Sequence, residues 1–227
     1  MSALIVVLAV GLPLLLALAA WELFVCEGAH LGQRFVVWLY DLTAERYERI
    51  KEFDFDWEGR FLGEPLAATL GELTEACLLD IGAGTGRTAR AMDPFVRRPL
   101  TVICLEPSAA MLRLGRERTG PQAEWVRAWS DPLPFAEGTF DMVSIIEVLE
   151  FTPSPPRVLT EAKRVLRPGG WLLASNRVGR SAPWILGKTY PRPGLSRLLE
   201  REGFMDVELY PWQVEYDLAW ARKPWAE

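Results

Sequence analysis

Between residues 76 and 87 the chain reads ACLLDIGAGTGR, an apolar run that ends in an acid and breaks into three glycines spaced G-x-G-x-G. A short apolar run followed at once by glycines and helix-forming residues reads as strand, tight turn and helix. Glycine permits the sharp turn and lets a ligand approach the backbone closely. The helix that starts at Arg87 presents free N–H groups, and that end attracts negative groups. Asp80 closes the strand beside this turn. Such an opening commits the rest of the chain to an α/β arrangement.

The remaining pattern agrees. From Ala76 onward short apolar runs alternate with helical stretches, the mark of a parallel sheet. Strands are expected at 76–81, 100–105, 123–126, 140–146, 171–175, 207–212 and 215–221, the last two forming a hairpin around Gln213-Val214. Helices are expected at 66–73, 87–93, 108–118, 157–166 and 195–202, and Arg167-Pro168-Gly169-Gly170 reads as a stop and turn. Glu106 ends the second strand, 20 residues past Gly86. A carboxylate there can accept hydrogen bonds from both hydroxyls of a ribose. Pro107-Ser108 then opens a helix with Ser108 as its N-cap. This pairing of turn and acid is common to adenosine cofactors, NAD included. Arg87, however, stands where the dinucleotide pattern G-x-G-x-x-G has its third glycine.

Composition narrows the classes. The 227 residues, 50% hydrophobic and 24% charged, suffice for one domain with an appendage. A net charge of −5 without a basic block gives no reason to bind nucleic acid. Cys26, Cys77 and Cys104 are odd in number and widely spaced, so neither a disulfide framework nor a zinc site is expected. His30 is the only histidine, which argues against a histidine triad or a multi-histidine metal centre.

The first 24 residues form a separate unit. Residues 3–21 carry no charge, and as a helix they would reach about 28 Å, close to the ~30 Å hydrocarbon core. Pro13 is tolerated in a spanning helix, and Trp21 ends the run as an interfacial aromatic. A single uncleaved transmembrane anchor is therefore expected. A cleaved signal peptide, suggested by Ala17-Leu18-Ala19, lacks the basic start, and a buried core helix is a third reading. Arg34, Arg46, Arg49 and Lys51 after the run lean towards a cytoplasmic body. Residues 25–62 form a juxtamembrane helical segment with Phe35, Leu39, Leu42, Arg46 and Arg49 on one stripe. It packs on the body or along the membrane surface, or it is a lid with Tyr40 or Tyr47 reaching inward. The body is expected at 63–227.

Five pieces in order carry a resemblance: LLDIGAGTGR at 78–87, CLEPSAAML at 104–112, DPLPFAEGTFDMV at 131–143, EVLEF at 147–151 and EAKRVLRPGGWLLAS at 161–175. Over roughly residues 76–176 the chain resembles the class I S-adenosylmethionine (SAM)-dependent methyltransferases, in particular the group that methylates small molecules, quinones and lipids. The resemblance implies SAM as cofactor. It also implies a Rossmann-like sheet of seven strands, mostly parallel, with helices on both faces and the last strand antiparallel. Carried over, Asp80, Gly82, Ala83, Gly84 and Gly86 line the methionine portion. Glu106 binds ribose with Ser108 beside it, and Pro107 and Met111 touch adenine. Glu147 begins the segment facing the methyl group and the acceptor.

Two departures stand out. Trp129 lies near the place where relatives put an acid for the adenine amino group, so Ser130, Asp131 or backbone groups take that task. Phe151 follows Leu149-Glu150 where many relatives have histidine. Glu147, Tyr40 and Tyr47 remain as candidate proton acceptors, if the acceptor must lose a proton as it attacks. Past the fifth strand, Trp184, Ile185, Leu186 and Tyr190 form an apolar patch among Arg177, Arg180 and Lys188. It is either a loop packed on the core or a membrane-facing mouth with basic groups near lipid phosphates. With the anchor, it points to a lipid- or quinone-like acceptor. A non-catalytic SAM-binding scaffold and an NAD-linked oxidoreductase are the alternatives.

Overall fold

The computed structural model describes residues 3–226, with side chains described from Val10 onward. Five helices lead in: α1 (Ala3–Phe24), α2 (Gln33–Thr43), α3 (Tyr47–Ile50), α4 (Phe55–Glu58) and α5 (Glu64–Leu70). Then follow β1 (Ala76–Ile81), α6 (Arg87–Met92), β2 (Leu100–Leu105), α7 (Ala109–Thr119), β3 (Ala123–Val126) and β4 (Phe140–Ile145). The chain ends with α8 (Pro155–Val165), β5 (Leu166–Arg177), α9 (Gly194–Arg201), β6 (Met205–Trp212) and β7 (Tyr216–Arg222).

The seven strands form one sheet in the order β3-β2-β1-β4-β5-β7-β6. Every pairing is parallel except those of β7, which runs antiparallel to both β5 and β6. The Rossmann-like sheet and its reversed final strand are as the resemblance implied. The central strands are near-continuous apolar runs because helices cover both faces. Leu79, Ile81, Val143, Ile145, Leu172 and Ala174 pack on Val158 and Leu159 of α8 and Leu198 and Leu199 of α9. On the other face Leu78, Met142 and Leu173 meet Leu62, Leu66 of α5 and Met92 of α6. Strand order reverses between β1 and β4, and in open α/β sheets that crevice at the carboxyl ends is where ligands bind.

Three expectations are corrected. Helix α1 forms, Pro13 included, but a spanning anchor is not supported: among the described residues no helix is long and apolar enough to cross a membrane. The uncharged run of this helix ends at Glu22. Next, the expected helical segment at 25–62 is not continuous. The Thr43 hydroxyl donates to the Leu39 carbonyl at 2.8 Å, a back-bond that favours bending, and a 3-10 turn at Ala44–Arg46 separates α2 from α3. Finally, Arg167-Pro168-Gly169-Gly170 does not separate helix from strand. It lies inside β5, where the pairing with β4 shifts register between Phe140 and Met142 and the strand absorbs the extra residues as a bulge.

Candidate active site

The loop after β1 is built by backbone bonds across to β2. The N–H groups of Gly82 and Ala83 both donate to the Leu105 carbonyl, at 2.8 and 3.1 Å. Gly82 has φ +69°, and a Cβ there would come within 2.4 Å of Val148 Cγ2, so only glycine fits. Gly84 donates its N–H to Glu106 Oε2 at 2.9 Å. The other oxygen of Glu106 accepts the Ser108 N–H at 2.8 Å. Burial pushes the Glu106 carboxyl up to about 7, although both backbone donors oppose the shift. Asp80 is likewise buried and is pushed up to about 6, against hydrogen bonds from Ser144 Oγ at 2.6 Å and Thr88 Oγ1 at 3.1 Å.

These groups border a cleft open to solvent. One wall is Glu106, Pro107, Met111, Trp129 and Ser130; the other is Gln33, Val36, Val37, Tyr40 and Tyr47 from α2 and α3; Gly82, Gly84, Glu147 and Phe151 lie between. A smaller hollow alongside is lined by Asp80, Ala83, Arg87 and Thr88 and shares Tyr47 and Gly82. The α2 wall is pinned by Asp41, whose Oδ1 accepts from the Ser108 hydroxyl at 2.6 Å and the Ala110 N–H at 3.0 Å. The Tyr40 ring stands edge-on to Tyr47 and Phe151, with centroids 5.7 and 6.1 Å away.

Behind the cleft runs an alternating chain of charges. Arg87 Nη1 bonds Glu147 Oε1 at 2.6 Å, and Arg87 Nη2 bonds Glu58. Lys51 joins Glu147 Oε2 at 3.3 Å to Glu27 Oε2 at 3.2 Å, and Arg177 holds the other oxygen of Glu27 at 2.8 Å. The Arg87 guanidinium lies between the rings of Phe53 and Trp212, 4.4 and 4.8 Å from their centroids. Burial works against a charge on Glu147, but Lys51 and Arg87 outweigh it and hold its carboxyl below the usual range. Its backbone has φ +57°, a conformation uncommon outside glycine, and its N–H donates to Ser175 Oγ at 2.6 Å. Burial pushes the phenols of Tyr40 and Tyr47 well above 10, so both are protonated at neutral pH.

Of the residues expected from sequence, Tyr40, Tyr47, Gly82, Gly84, Glu106, Pro107, Met111, Ser130 and Glu147 line the cleft, and Asp80 and Ala83 line the hollow. Ser108 stands behind Glu106 as the N-cap of α7, accepting the Met111 N–H at 3.1 Å. Gly86 caps α6 but faces Thr119 and Trp125. Asp131 turns outward to Arg157 Nε at 2.8 Å. Gln33, Val36, Val37, Lys51 and Glu58 were not anticipated. Their only sequence signal is nearness to Tyr40 and Tyr47.

Residues 79–174 match the family model described as a methyltransferase domain. The chain is 32% identical over 140 residues to a demethylmenaquinone methyltransferase of Lactiplantibacillus plantarum, covering 60% of this chain and 59% of that protein. It is 37% identical over 120 residues to the ubiquinone/menaquinone biosynthesis C-methyltransferase UbiE of Hahella chejuensis, covering 51% and 48%. Over that stretch the chain is similar to methyltransferase domains. It nevertheless spans only about half to three-fifths of the length of these curated relatives. In fold the chain is similar to the [4+2]-cyclase SpnF, at TM-score 0.66 and 19% identity over 86% of this chain and 98% of that one. The N-terminal helices outside the matched stretch are held beside the cleft through buried charge.

Replacing Arg87 by methionine should lower unfolding stability by roughly 3–5 kcal/mol, because Glu58 and Glu147 are left buried with too few partners. Adding Glu58→Gln and Glu147→Gln should recover part of the loss. Urea unfolding checks both, and an unchanged midpoint for the single variant would show that the ion pairs hold nothing together.

Proposed function

We propose that the chain transfers the methyl group of SAM to an amphiphilic, quinol-like acceptor. The observation that carries this reading is the pair of buried carboxylates, Asp80 and Glu106, for which no ion pair exists among the described residues. An acid kept dry without a cationic partner is costly, and a ligand with a cation near Asp80 and hydroxyls near Glu106 removes that cost. Each Glu106 oxygen keeps acceptor capacity after its backbone bond, enough for two ribose hydroxyls. Gly84 leaves bare backbone below the Tyr47 ring, whose Cε1 lies 3.6 Å from the position of a Cβ. Met111, Pro107 and Trp129 provide apolar contact for adenine, and the Ser130 hydroxyl stands in for the acid that relatives place there. The residues present therefore fit SAM.

When bound, the sulfonium supplies a methyl group to an in-line nucleophile. Positioning provides much of the acceleration in such a reaction. The α2 wall, with Val36, Val37 and Tyr40, and Phe151 packed beside it give the acceptor an apolar, partly aromatic berth. Tyr40 and Tyr47 act as hydrogen-bond donors rather than bases. Glu147, clamped by two cations, acts as a fixed negative charge near the reacting centre. His30 does not line the cleft. The relatives' names support a quinone-type acceptor. The exposed apolar side chains of α1, among them Val10, Leu14, Leu15, Leu16 and Leu18, favour a site at a lipid surface, with the body on the cytoplasmic side.

SAM affinity should weaken as pH falls from about 7.5 to 5.5. In the empty protein both acids take up protons over this window, and a cationic ligand must displace them, so the change approaches tenfold per pH unit for each coupled proton. Titration calorimetry at three pH values tests this, and a flat profile removes the two acids from the site. Incubation with labelled SAM and a demethylated quinol in vesicles, beside a soluble catechol, should label the extractable quinol. Label confined to the catechol rejects the amphiphilic acceptor, and tight SAM binding without any label makes the chain a scaffold. In flotation with phosphatidylglycerol vesicles the full chain should rise, and a variant lacking residues 3–18 should not; a full chain that stays at the bottom argues against the lipid surface.

A further inference from the structure

The turn between α1 and α2 holds a cluster that the cleft does not use. Glu22, Cys26 and His30 bring a carboxylate oxygen, the thiol sulfur and a ring nitrogen within 4.8 Å of one another. The backbone explains the convergence. The N–H groups of Val25 and Cys26 both return to the Trp21 carbonyl, Gly28 donates to Glu22 and Ala29 to Cys26, so the chain curls back on the end of the helix. His30 then meets Glu22 twice: its N–H donates to Oε1 at 3.0 Å, and ring Nδ1 lies 2.8 Å from Oε2. Cys26 is fully buried beneath this pair, whereas His30 is exposed.

We propose that Glu22, Cys26 and His30 bind one divalent cation of the zinc class, with a water in the fourth position on the solvent side. Sulfur, imidazole nitrogen and carboxylate oxygen are the donor set zinc takes, and three protein ligands plus water is the form of an open zinc site. Tetrahedral bonds of about 2.0–2.3 Å place ligand atoms roughly 3.3–3.8 Å apart. Closing the cluster onto a metal therefore takes side-chain shifts of about an ångström. Charge agrees as well. A thiolate and a carboxylate balance the dication and a neutral imidazole adds nothing, so the loaded site is neutral and can sit against an apolar cluster. The thiol proton passes to solvent when the metal binds.

Four other charged groups belong to the surroundings. Lys188 donates to the Ala29 carbonyl at 2.7 Å and not to Glu22, and Glu27 is engaged by Lys51 and Arg177. The carboxylate of Glu22 thus stays with His30. Cys26 packs in one apolar cluster with Val36 and Phe151, both of which border the cleft. A metal here would tie the end of α1 to the seat of α2, one layer behind the acceptor wall. The simpler reading, a carboxylate–imidazole bond that only closes a turn, predicts no metal affinity above that of a scrambled surface.

The test uses the full chain in detergent, stripped with chelator and titrated with cobalt(II). One cobalt per chain should bind, with a thiolate-to-cobalt band in the near ultraviolet and the strong visible bands of four-coordinate cobalt, and zinc should displace it. Cys26→Ser should lose the ultraviolet band. His30→Gln, a change at an exposed side chain, should weaken binding by about tenfold or more while leaving the thermal melt of the metal-free chain unchanged. Absence of the bands in the wild-type chain, their persistence in Cys26→Ser, or equal affinity in His30→Gln would each overturn the site.

Discussion

Arg87 is the charge around which the molecule closes. It starts the helix after the glycine loop, reaches Glu147 from the segment beyond β4 and Glu58 from α4, and is sandwiched by Phe53 and Trp212. A buried guanidinium is weak evidence for stability by itself, since desolvation offsets most of the attraction. Its consequence here is geometric. The series Glu58, Arg87, Glu147, Lys51, Glu27 and Arg177 alternates in sign and carries no net charge. N-terminal helices seated one turn out of place would strand a charge, which costs several kcal/mol. The N-terminal helices are thereby held in one register on the sheet.

That arrangement divides the acids of the site into two kinds. Glu147 is paired twice and stays ionised, so its proton affinity is spent on structure. Asp80 and Glu106 are buried with only neutral donors, and both titrate near neutrality. A fold selected only for stability would pair or remove such groups. Their survival beside a bare-backbone turn is understandable where a positively charged nucleoside supplies the missing partner.

How much of this was legible in sequence follows from the range of each interaction. The strand, the glycine turn and Glu106 belong to one β-α-β unit. Their spacing is set by a few residues, and β1, β2 and β3 fall where the pattern places them. Asp131 escaped because a short loop can aim consecutive residues in opposite directions: Ser130 points inward while Asp131 pairs with Arg157. Lys51 and Glu58 escaped for a different reason. Their partners lie 96 and 29 residues away, and a lone basic or acidic residue in a polar helix looks like any solvated side chain. The apolar first helix misled in the opposite sense. Hydropathy reports that a segment avoids water, but not whether it crosses a bilayer.

The same distinction bears on what the domain acts upon. The matched stretch, residues 79–174, contains the glycine turn, Glu106, Met111, Trp129 and Phe151, which line one side and the floor of the cleft. Gln33, Val36, Val37, Tyr40 and Tyr47 lie outside it and form the facing wall. A sheet that also underlies a cyclase does not dictate its chemistry, and function resides in the side chains mounted on it. On the proposed function, selectivity for the acceptor would rest on α2 and α3, on how Asp41 pins α2 to α7, and on the buried charges that seat them. Those parts lie outside the stretch that matches the methyltransferase domain model.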